Sequence, residues 1–368
     1  MSRTANILSY IFTLLFTILS LFVVVYISDI YYDLLLWEVM LLFLAGAIVV
    51  GFILTLVHEL SHLISGKING FQFSAITIWF LKWYKEKNKV KFKFTIFGEE
   101  AGYTEMIPKT CENLAIRYKN MALAGPISSL VLALVGIVPL FFNFLPAWLF
   151  CGWALFLPLG IYFFLSSLLP SSSGGVRNDG GVIYGINKND DSTKVMLNIL
   201  SIQAQMFQGK TPAQVDKSLY FDLPQLPEDD INFIMLLNAR YLYHLDKGEY
   251  QKATKITDRL ISLAEDMPKE FLATIMTDAL YNACTFDFNP QLADEITEDY
   301  EKYLNSVNTV SVVRSKLAYL LYVKGEKDKF DIFYKKGLRE ASKGQIKGLN
   351  DFEIKLFEKM KDDFEKQD

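Results

Sequence analysis

The chain has 368 residues, of which 51% are hydrophobic and 21% are charged, and its net charge is −4. Because no basic excess or basic tail is present, nucleic acid is not an expected partner. The length predicts two domains. The three cysteines are far apart and form no Cys-x-x-Cys pair, which argues against a disulfide framework and against a cysteine zinc site.

Four apolar runs in the first half are long enough to cross a bilayer, which takes about 20 residues of helix. They cover residues 6–27, 34–65, 113–142 and 147–169. The first is predicted to be a retained helix rather than a signal peptide, because its apolar stretch is long and no small-residue cleavage site follows it. Ala124-Gly125-Pro126 is expected to interrupt the third run.

The second run ends in the motif His58-Glu59-Leu60-Ser61-His62. In a helix, positions i and i+4 share a face, so both imidazoles can bind one metal ion while Glu59 lies beside the open coordination position. The alternative is a helix end whose polar residues only face the membrane interface. An ionisable cluster in an apolar segment is costly, which favours a functional site.

Residues 67–110 are predicted to form a β-rich insertion. Residues 71–78 and 89–96 have the pattern of strands around a turn at 86–88, and residues 101–106 can add another extended piece. The row Lys89, Lys91 and Lys93 is interpreted either as a solvated strand face or as a contact with anionic headgroups.

The distribution of Lys and Arg predicts the orientation in the membrane. Residues 28–33 and 143–146 contain neither, whereas residues 67–119 contain ten. By the positive-inside rule, the 67–119 loop and both termini are cytoplasmic.

From about residue 190 the chain is charge-rich and is predicted to be all-helical. Helix–turn–helix patterns with Lys-Gly-Glu turns at 247–249 and 324–326, and a weaker copy near 279–293, suggest tetratricopeptide-like repeats. These repeats would form either a peptide-binding concavity or a structural cap. His244, which lies among tyrosines, is interpreted as a packing or surface residue.

Three separated elements together resemble the site-2 protease family of intramembrane zinc metalloproteases, peptidase family M50. They are the His58–His62 motif, the segment Asn120-Met121-Ala122-Leu123-Ala124-Gly125-Pro126, and Asn178-Asp179-Gly180-Gly181. Residues 101–106 are similar to the extended Gly-Gly-Tyr element of that family. The resemblance covers about residues 34–185, and the chain departs from the family pattern at Ser129, where the family has asparagine, and at Asn178, where it has leucine.

The resemblance implies that His58, His62 and Asp179 bind Zn²⁺ and that Glu59 is the general base. It also implies that the insertion binds an extended substrate, and it places five further residues at the substrate, namely Asn120, Gly125, Pro126, Gly102 and Tyr103. Two of these assignments have alternatives. Asp179 would otherwise form an Asx turn, and Asn120 would otherwise be a polar residue at a helix start.

The expected fold is an α-helical integral membrane protein with about four transmembrane helices and a β-hairpin insertion, followed by a cytoplasmic all-α, tetratricopeptide-like domain. The domains are 1–185, with the insertion at 67–110, and 190–368. The expected function is that of a multi-pass protease of a bacterial cell membrane, which takes part in regulated intramembrane proteolysis. It would cleave transmembrane segments or signal-peptide remnants near the cytoplasmic face. The alternative is a catalytically inactive membrane scaffold.

The expected partners are a membrane-protein or peptide substrate, the lipid bilayer, and a protein that binds the C-terminal helical domain.

Overall fold

The computed structural model describes residues 3–86, 89–95, 102–141, 145–173, 176–263 and 269–366. The predicted turn residues Lys87 and Asn88, the strand end Ile96, and Ala101 lie outside these ranges. The chain divides into two compact units. The first unit is Met1–Lys85, Val90–Met106 and Asn113–Thr193, and the second is Glu86–Lys89, Ile107–Glu112 and Lys194–Asp368.

The first unit contains the four predicted apolar spans. They are helix α1 (Arg3–Tyr31), helix α2 (Leu36–Ile68), helix α3 (Leu114–Val135), and the pair α4 (Ala147–Ala154) and α5 (Phe156–Leu168). Each span is long and apolar enough to cross a membrane, with α4 and α5 counted together. Within the described residues, the expectation of about four helices that could span a membrane is therefore met.

One detail of the third span was predicted wrongly. Helix α3 runs through Pro126 without a break and ends at Val135, before a short 3₁₀ turn at Val138–Phe141. Proline removes one backbone donor, but the remaining hydrogen bonds and the packing of a membrane helix are enough to keep the helix continuous.

The spans pack on one another through a small apolar core. Val24 of α1, Leu54 of α2, and Cys151 and Leu155 in the last span are fully buried. The outer faces of the same helices expose large apolar side chains, such as Leu14, Leu44 and Val131. Helices that are apolar both inside and outside are suited to a hydrocarbon surrounding rather than to water.

The insertion between α2 and α3 is a four-stranded sheet, which is larger than the expected hairpin. Its strands are β1 (Phe71–Ile78), β2 (Leu81–Glu86), β3 (Lys89–Phe94) and β4 (Gly102–Pro108), in the order β3-β2-β1-β4. Strands β1 and β2 are antiparallel, with Ala75 opposite Tyr84 and Ile78 opposite Leu81. Both β3 and β4 are therefore edge strands, at opposite sides of the sheet.

A two-stranded ribbon follows α5. It consists of β5 (Ser172–Ser173) and β6 (Val176–Arg177), and it leads into helix α6 (Asp179–Lys188). The side chain of Arg177 donates to Asp190 and to Thr193, both at 2.8 Å. Burial would raise the pKa of the Asp190 carboxyl, but the hydrogen bond from Arg177 holds that pKa below its ordinary value. This ion pair ties the loop before α6 to the residues after it.

The second unit is helical, as predicted. Its helices are α7 (Asp191–Phe207), which begins at the end of the first unit, then α8 (Ser218–Phe221), α9 (Ile231–Lys247), α10 (Tyr250–Leu263), α11 (Lys269–Cys284), α12 (Pro290–Asp299), α13 (Glu301–Ser306), α14 (Val310–Ala318), α15 (Phe330–Ala341) and α16 (Lys347–Lys366). The turns at Gly248 and Gly325 have φ of 77° and 67°. Glycine takes this left-handed conformation without strain, so both Lys-Gly-Glu segments can end a helix sharply.

An ionic cluster lies inside the second unit. Arg314 is 1% exposed and donates to Glu353 and to Asp278, both at 2.6 Å. Its guanidinium also lies 4.6 Å from the ring centroid of Tyr281. Two carboxylates thus share one buried cation.

Candidate metal centre

The C-terminal half of α2 carries the HExxH motif away from solvent. His58, Glu59 and His62 are 9%, 6% and 8% exposed. The i, i+4 spacing places both imidazoles on one helix face. Their ring centroids are 4.8 Å apart, and their Nε2 atoms are 3.1 Å apart.

Asp179, the first residue of α6, completes the cluster. Its Oδ2 lies 3.2 Å from Nε2 of His58 and 3.3 Å from Nε2 of His62. The preceding residue, Asn178, caps α6 by accepting a hydrogen bond from the N–H of Gly181 at 2.9 Å. Its amide also donates to carbonyl oxygens at the end of α5, those of Ser166, Ser167 and Leu169. The side chain of Asn178, which stands where the family has leucine, therefore links the loop before Asp179 to the end of α5 by hydrogen bonds.

The hydrogen-bond network assigns the protons of the two imidazoles. Nδ1 of His62 lies 2.8 Å from the carbonyl oxygen of Met121, which can only accept. Nδ1 of His58 lies 3.0 Å from Oγ of Ser129, and this hydroxyl donates to the carbonyl of Gly125 at 3.2 Å. Both Nδ1 atoms are thus donors, so in the neutral imidazoles the Nε2 atoms are the ones with free lone pairs.

The donor set fits a metal ion. Two imidazole lone pairs and a carboxylate oxygen repel one another at 3.1–3.3 Å unless a proton or a metal cation lies among them. A tetrahedral zinc with ligand distances of about 2.0–2.1 Å has neighbouring ligand atoms about 3.3–3.4 Å apart. The three atoms therefore match one face of a tetrahedron, and three protein ligands leave the fourth position open, as in catalytic zinc sites.

Gly125 of α3 lies next to the Nε2 atoms of the two histidines. A Cβ atom built on it would lie 2.3 Å from Nε2 of His62 and 2.5 Å from Nε2 of His58. No side chain could be placed there without displacing whatever the two nitrogens bind. Glycine at this point thus keeps open the volume that a metal ion would fill, and Pro126 follows it inside the helix.

Glu59 contacts the edge strand β4 rather than the triad of ligand atoms. Its Oε2 accepts a hydrogen bond of 2.6 Å from the hydroxyl of Thr104, which also lies 3.1 Å from the backbone oxygen of Glu59. A Cβ on Gly102 would lie 2.6 Å from Oε1 of Glu59, so the backbone of β4 lies directly against the carboxylate. The first residues of β4 are therefore beside the expected general base.

The remaining predicted substrate residues lie around this centre. Tyr103 is 41% exposed and, by the alternation of a strand, points away from the face that Gly102 and Thr104 present to Glu59. Asn120 is exposed, and its amide donates to the side chain of Asn69 at 3.3 Å. The neighbouring residue, Met121, supplies the carbonyl that holds His62.

Three hydroxyl side chains support the cluster, and the sequence singled out one of them individually, although Thr104 lies within the 101–106 segment of the resemblance. Ser129 stands where the family has asparagine, and that substitution singled it out as a residue near the site. Ser167, which donates to Oδ2 of Asp179 at 2.6 Å, lies twelve residues away in α5. Thr104 lies in a different element from Glu59. Neither Ser167 nor Thr104 has a fixed sequence spacing to a motif residue, so only the fold shows their contacts with Asp179 and Glu59.

The comparison with protein families gives the decisive match. Residues 45–327 match peptidase family M50, which is about three quarters of the chain. The chain belongs to peptidase family M50. No curated protein and no solved structure matches it. The members of peptidase family M50 are zinc metalloproteases, so membership and the four apolar helices indicate a membrane metallopeptidase. The match extends past residue 185, where the resemblance of the motifs ends, into the second unit.

Proposed function

We propose that this chain is an intramembrane zinc endopeptidase that cleaves the membrane-embedded segments of its substrates. The proposal rests on three potential ligand atoms, from His58, His62 and Asp179, that lie close together. They lie beside the buried carboxylate of Glu59, at an apolar span. A buried ionisable cluster in a membrane segment is costly and is retained for a function. The His₂Asp donor set, the open fourth position and the M50 match all favour hydrolysis.

Each protein group has a role in the proposed reaction. His58, His62 and Asp179 would hold Zn²⁺, which when bound supplies a Lewis acid for the scissile carbonyl and for water. Glu59 accepts the proton of the attacking water and returns it to the leaving amine. Thr104 holds one oxygen of Glu59 and leaves the other for this proton transfer.

A substrate helix must unwind before its peptide bond can reach the site. Unwinding frees backbone N–H and C=O groups, and each unsatisfied group in the hydrocarbon region costs several kcal/mol. Strand β4 is an edge strand whose first residues lie against Glu59, so addition of the substrate as a further strand would satisfy these groups. Strand β3 forms the opposite edge of the sheet, away from Glu59.

The topology and the second unit belong to the same proposal. We propose a multi-pass protein of a bacterial cell membrane, and the absence of Lys and Arg from residues 28–33 and 143–146 supports an orientation with both termini in the cytoplasm. The site near the end of α2 then lies towards the cytoplasmic face, where transmembrane segments or signal-peptide remnants would be cut. We further propose that the helical second unit is a tetratricopeptide-like domain that recruits a protein partner.

The test compares the wild type with three variants in cells and after purification. We expect purified wild type to hold about one zinc per chain, Glu59→Gln to hold the same amount, and the double variant His58→Ala/His62→Ala to lose it. Membrane fragments found in wild-type cells should be replaced by uncut precursors with Glu59→Gln. As a matched control, Glu38→Gln changes a carboxylate at the other end of α2, and it should leave both readouts unchanged.

Two outcomes would contradict the proposal. Full zinc content in the double histidine variant would disprove the assigned ligands. Identical membrane fragments in wild type and Glu59→Gln, with zinc present in both, would disprove proteolysis and support the alternative of an inactive scaffold.

A further inference from the structure

The second unit contains a cavity with mostly apolar walls. It has a volume of about 260 Å³ and lies where residues of α11 to α15 meet. Its apolar lining consists of Leu280, Leu304, Leu320 and Phe333. Concave apolar sites with a few polar groups are typical of small-molecule binding, and drug-sized ligands occupy roughly 300–1,000 Å³. This cavity is therefore suited to a smaller ligand with an apolar body.

Lys316 of α14 brings a positive charge to this apolar lining. Its ammonium donates to Oδ1 of Asn305 at 2.7 Å and to the carbonyl oxygen of Leu304 at 3.4 Å. It also lies 6.0 Å from the ring centroid of Phe333. All these partners are neutral, and no carboxylate forms an ion pair with this ammonium among the residues that the structure describes. An ammonium has three donors, so one of them remains for a ligand.

A second ammonium lies near the first. Lys336 of α15 donates to Oδ1 of Asn308 at 2.6 Å, which is also a neutral partner. Burial lowers the pKa of Lys316, the charge of Lys336 lowers it further, and the carboxylate of Glu301 opposes both effects. Like charges at short range repel one another. An anion bound beside Lys316 would relieve this repulsion.

A π-helical turn forms one wall of the cavity. It covers Tyr319–Lys324, directly after α14, and places Tyr319 and Leu320 in the lining. The hydroxyl of Tyr319 and the ammonium of Lys324 both bond to the carboxylate of Asp294 in α12. Turns of this kind are rare and are frequently found at functional sites. The bonds to Asp294 hold this wall in place, so the cavity is formed before a ligand binds.

We propose that this cavity binds a small monocarboxylate with an apolar body. The carboxylate accepts a hydrogen bond from the ammonium of Lys316 and lies in the field of Lys336. The apolar body contacts the four apolar side chains of the lining. Nothing in this assignment depends on proteolysis at the metal centre.

The other charges around the cavity favour a ligand with a single negative charge. Glu301 lines the same cavity, and Lys329, the other lysine of the lining, is already paired with Glu326 at 2.6 Å. A phosphate or a dicarboxylate would bring a second negative charge towards the carboxylate of Glu301, which would repel it. A single carboxylate occurs both in a free acid and in an apolar C-terminal residue of a peptide, so the experiment has an arm for each source.

The test measures binding of a fluorinated phenylpropanoate to the full-length protein in detergent micelles by fluorine NMR. Empty micelles give the background, and the matching neutral amide and a fluorinated phenyl phosphate are the comparison ligands. We expect saturable binding of the acid, with at least about tenfold weaker binding of the amide and of the phosphate. Displacement by a short peptide with a free C-terminal leucine, and not by its C-terminal amide, would assign the cavity to peptide ends. No displacement by either peptide would assign it to free acids.

Four variants connect the binding to this cavity. Lys316→Gln should weaken binding of the acid at least about tenfold, and Lys316→Arg, which keeps the charge, should retain most of it. Thr297→Phe places a ring in the cavity at the cost of one bond within α12, and it should abolish binding. The matched control is Lys335→Gln, because Lys335 is exposed on α15 and does not line the cavity. Melting temperatures show whether each variant is folded.

Four outcomes would overturn the proposal. They are the absence of saturable binding, equal binding of the acid and its amide, tighter binding of the phosphate than of the acid, and wild-type affinity in both Lys316→Gln and Thr297→Phe. The last outcome would mean that the acid binds elsewhere on the protein. If Lys316→Gln is unfolded, the comparison of Thr297→Phe with Lys335→Gln decides whether the acid occupies this cavity.

Discussion

At the scale of single residues, the side chains around the ligands decide how well a metal is held. Ser129 orients His58 by accepting a hydrogen bond from Nδ1, and its own hydroxyl donates a hydrogen bond to the carbonyl of Gly125. The hydroxyl is shorter than the asparagine of the family pattern but still supplies the acceptor that His58 needs. The serine at this position therefore orients His58 through its hydroxyl.

We expect Ser129→Ala to weaken zinc binding by about 10–100-fold, the usual effect of losing a partner of a ligating histidine. The matched control is Ser128→Ala, because Ser128 bonds to the same carbonyl of Gly125 at 2.7 Å without contacting either histidine. Zinc affinity is measured by competition with a chelator. Equal affinities of the two variants would show that Ser129 does not orient His58.

A methyl group on Gly125 should act at the metal position itself. Its Cβ would lie within 2.3–2.5 Å of both Nε2 atoms, so Gly125→Ala should abolish zinc binding even though alanine favours the helix. In α4, Gly152 has no atom within 4 Å of a built Cβ, so Gly152→Ala is the control for a change of helix propensity alone. The zinc content of both purified variants is measured. A normal zinc content in Gly125→Ala would refute the placement of the ion beside Gly125.

At the scale of elements, the two edges of the sheet have different surroundings. Thr104 and Gly102 place β4 against Glu59, whereas β3 forms the far edge with its side chains exposed. A proline within β4 removes a backbone donor that an added strand would need. Proline at Tyr103, Thr104 or Glu105, whichever N–H points outward, should remove most cleavage while zinc content stays normal.

The control for this experiment is proline at positions 91–93 of β3, which should leave the contacts of Glu59 untouched. Cleavage of a co-expressed substrate, once one is found by the fragment comparison above, is measured together with zinc content. Loss of cleavage only with the prolines in β3 would indicate that the substrate binds at β3 instead of β4. Normal cleavage at every position of both strands would exclude strand addition.

The sequence predicted the strands better than their arrangement. Alternation in residues 89–96 and the apolar content of 71–78 identified β3 and β1, because side-chain period follows from the local backbone. The order β3-β2-β1-β4 depends on packing between distant segments, so periodicity could not assign β4 to Glu59. The same limit applies to Pro126. The local effect of proline predicted an interruption of helix α3, but the packing of α3 against its neighbours keeps the helix continuous.

The cluster inside the second unit gives a pH dependence with a definite sign. Burial raises the pKa of the Asp278 carboxyl from 3.8 to about 6, with the Glu353 carboxylate adding to the rise and the Arg314 guanidinium opposing it. A group with a raised pKa stabilises the folded state fully at low pH, and this contribution is lost as pH rises through about 6. Protection of α11 and α14 should therefore decrease between about pH 4 and pH 7.

Asparagine at position 278 mimics the protonated carboxyl, so Asp278→Asn should remove this part of the pH dependence. The readout is hydrogen exchange of α11 and α14 in the full chain, corrected for the intrinsic effect of pH on exchange. Asp362→Asn, at an exposed position of α16, is the control and should follow the wild type. An Asp278→Asn profile parallel to that of the wild type would contradict the role of this carboxyl.

At the scale of the whole molecule, the ligands of the metal centre come from two distant parts of the sequence. The HExxH spacing alone places His58 and His62 together, because that relation lies within one helix. Asp179 is 121 residues from His58, and its position depends on the loop that Asn178 ties to α5. Its assignment came from the resemblance to a family, and its distances to the histidines come only from the fold.

The distribution of Lys and Arg allows a test of the orientation in the membrane. The absence of Lys and Arg from 28–33 and 143–146 predicts that these loops lie outside and that residues 67–110 and 190–368 lie inside. In a chain without native cysteines, a cysteine at Asp33 or Pro146 should react with a membrane-impermeant maleimide in intact cells. A cysteine at Lys109 or Asp229, both exposed, should react only after the membrane is opened. Reaction of Lys109 and Asp229 in intact cells would reverse the orientation and place the metal centre towards the outer face.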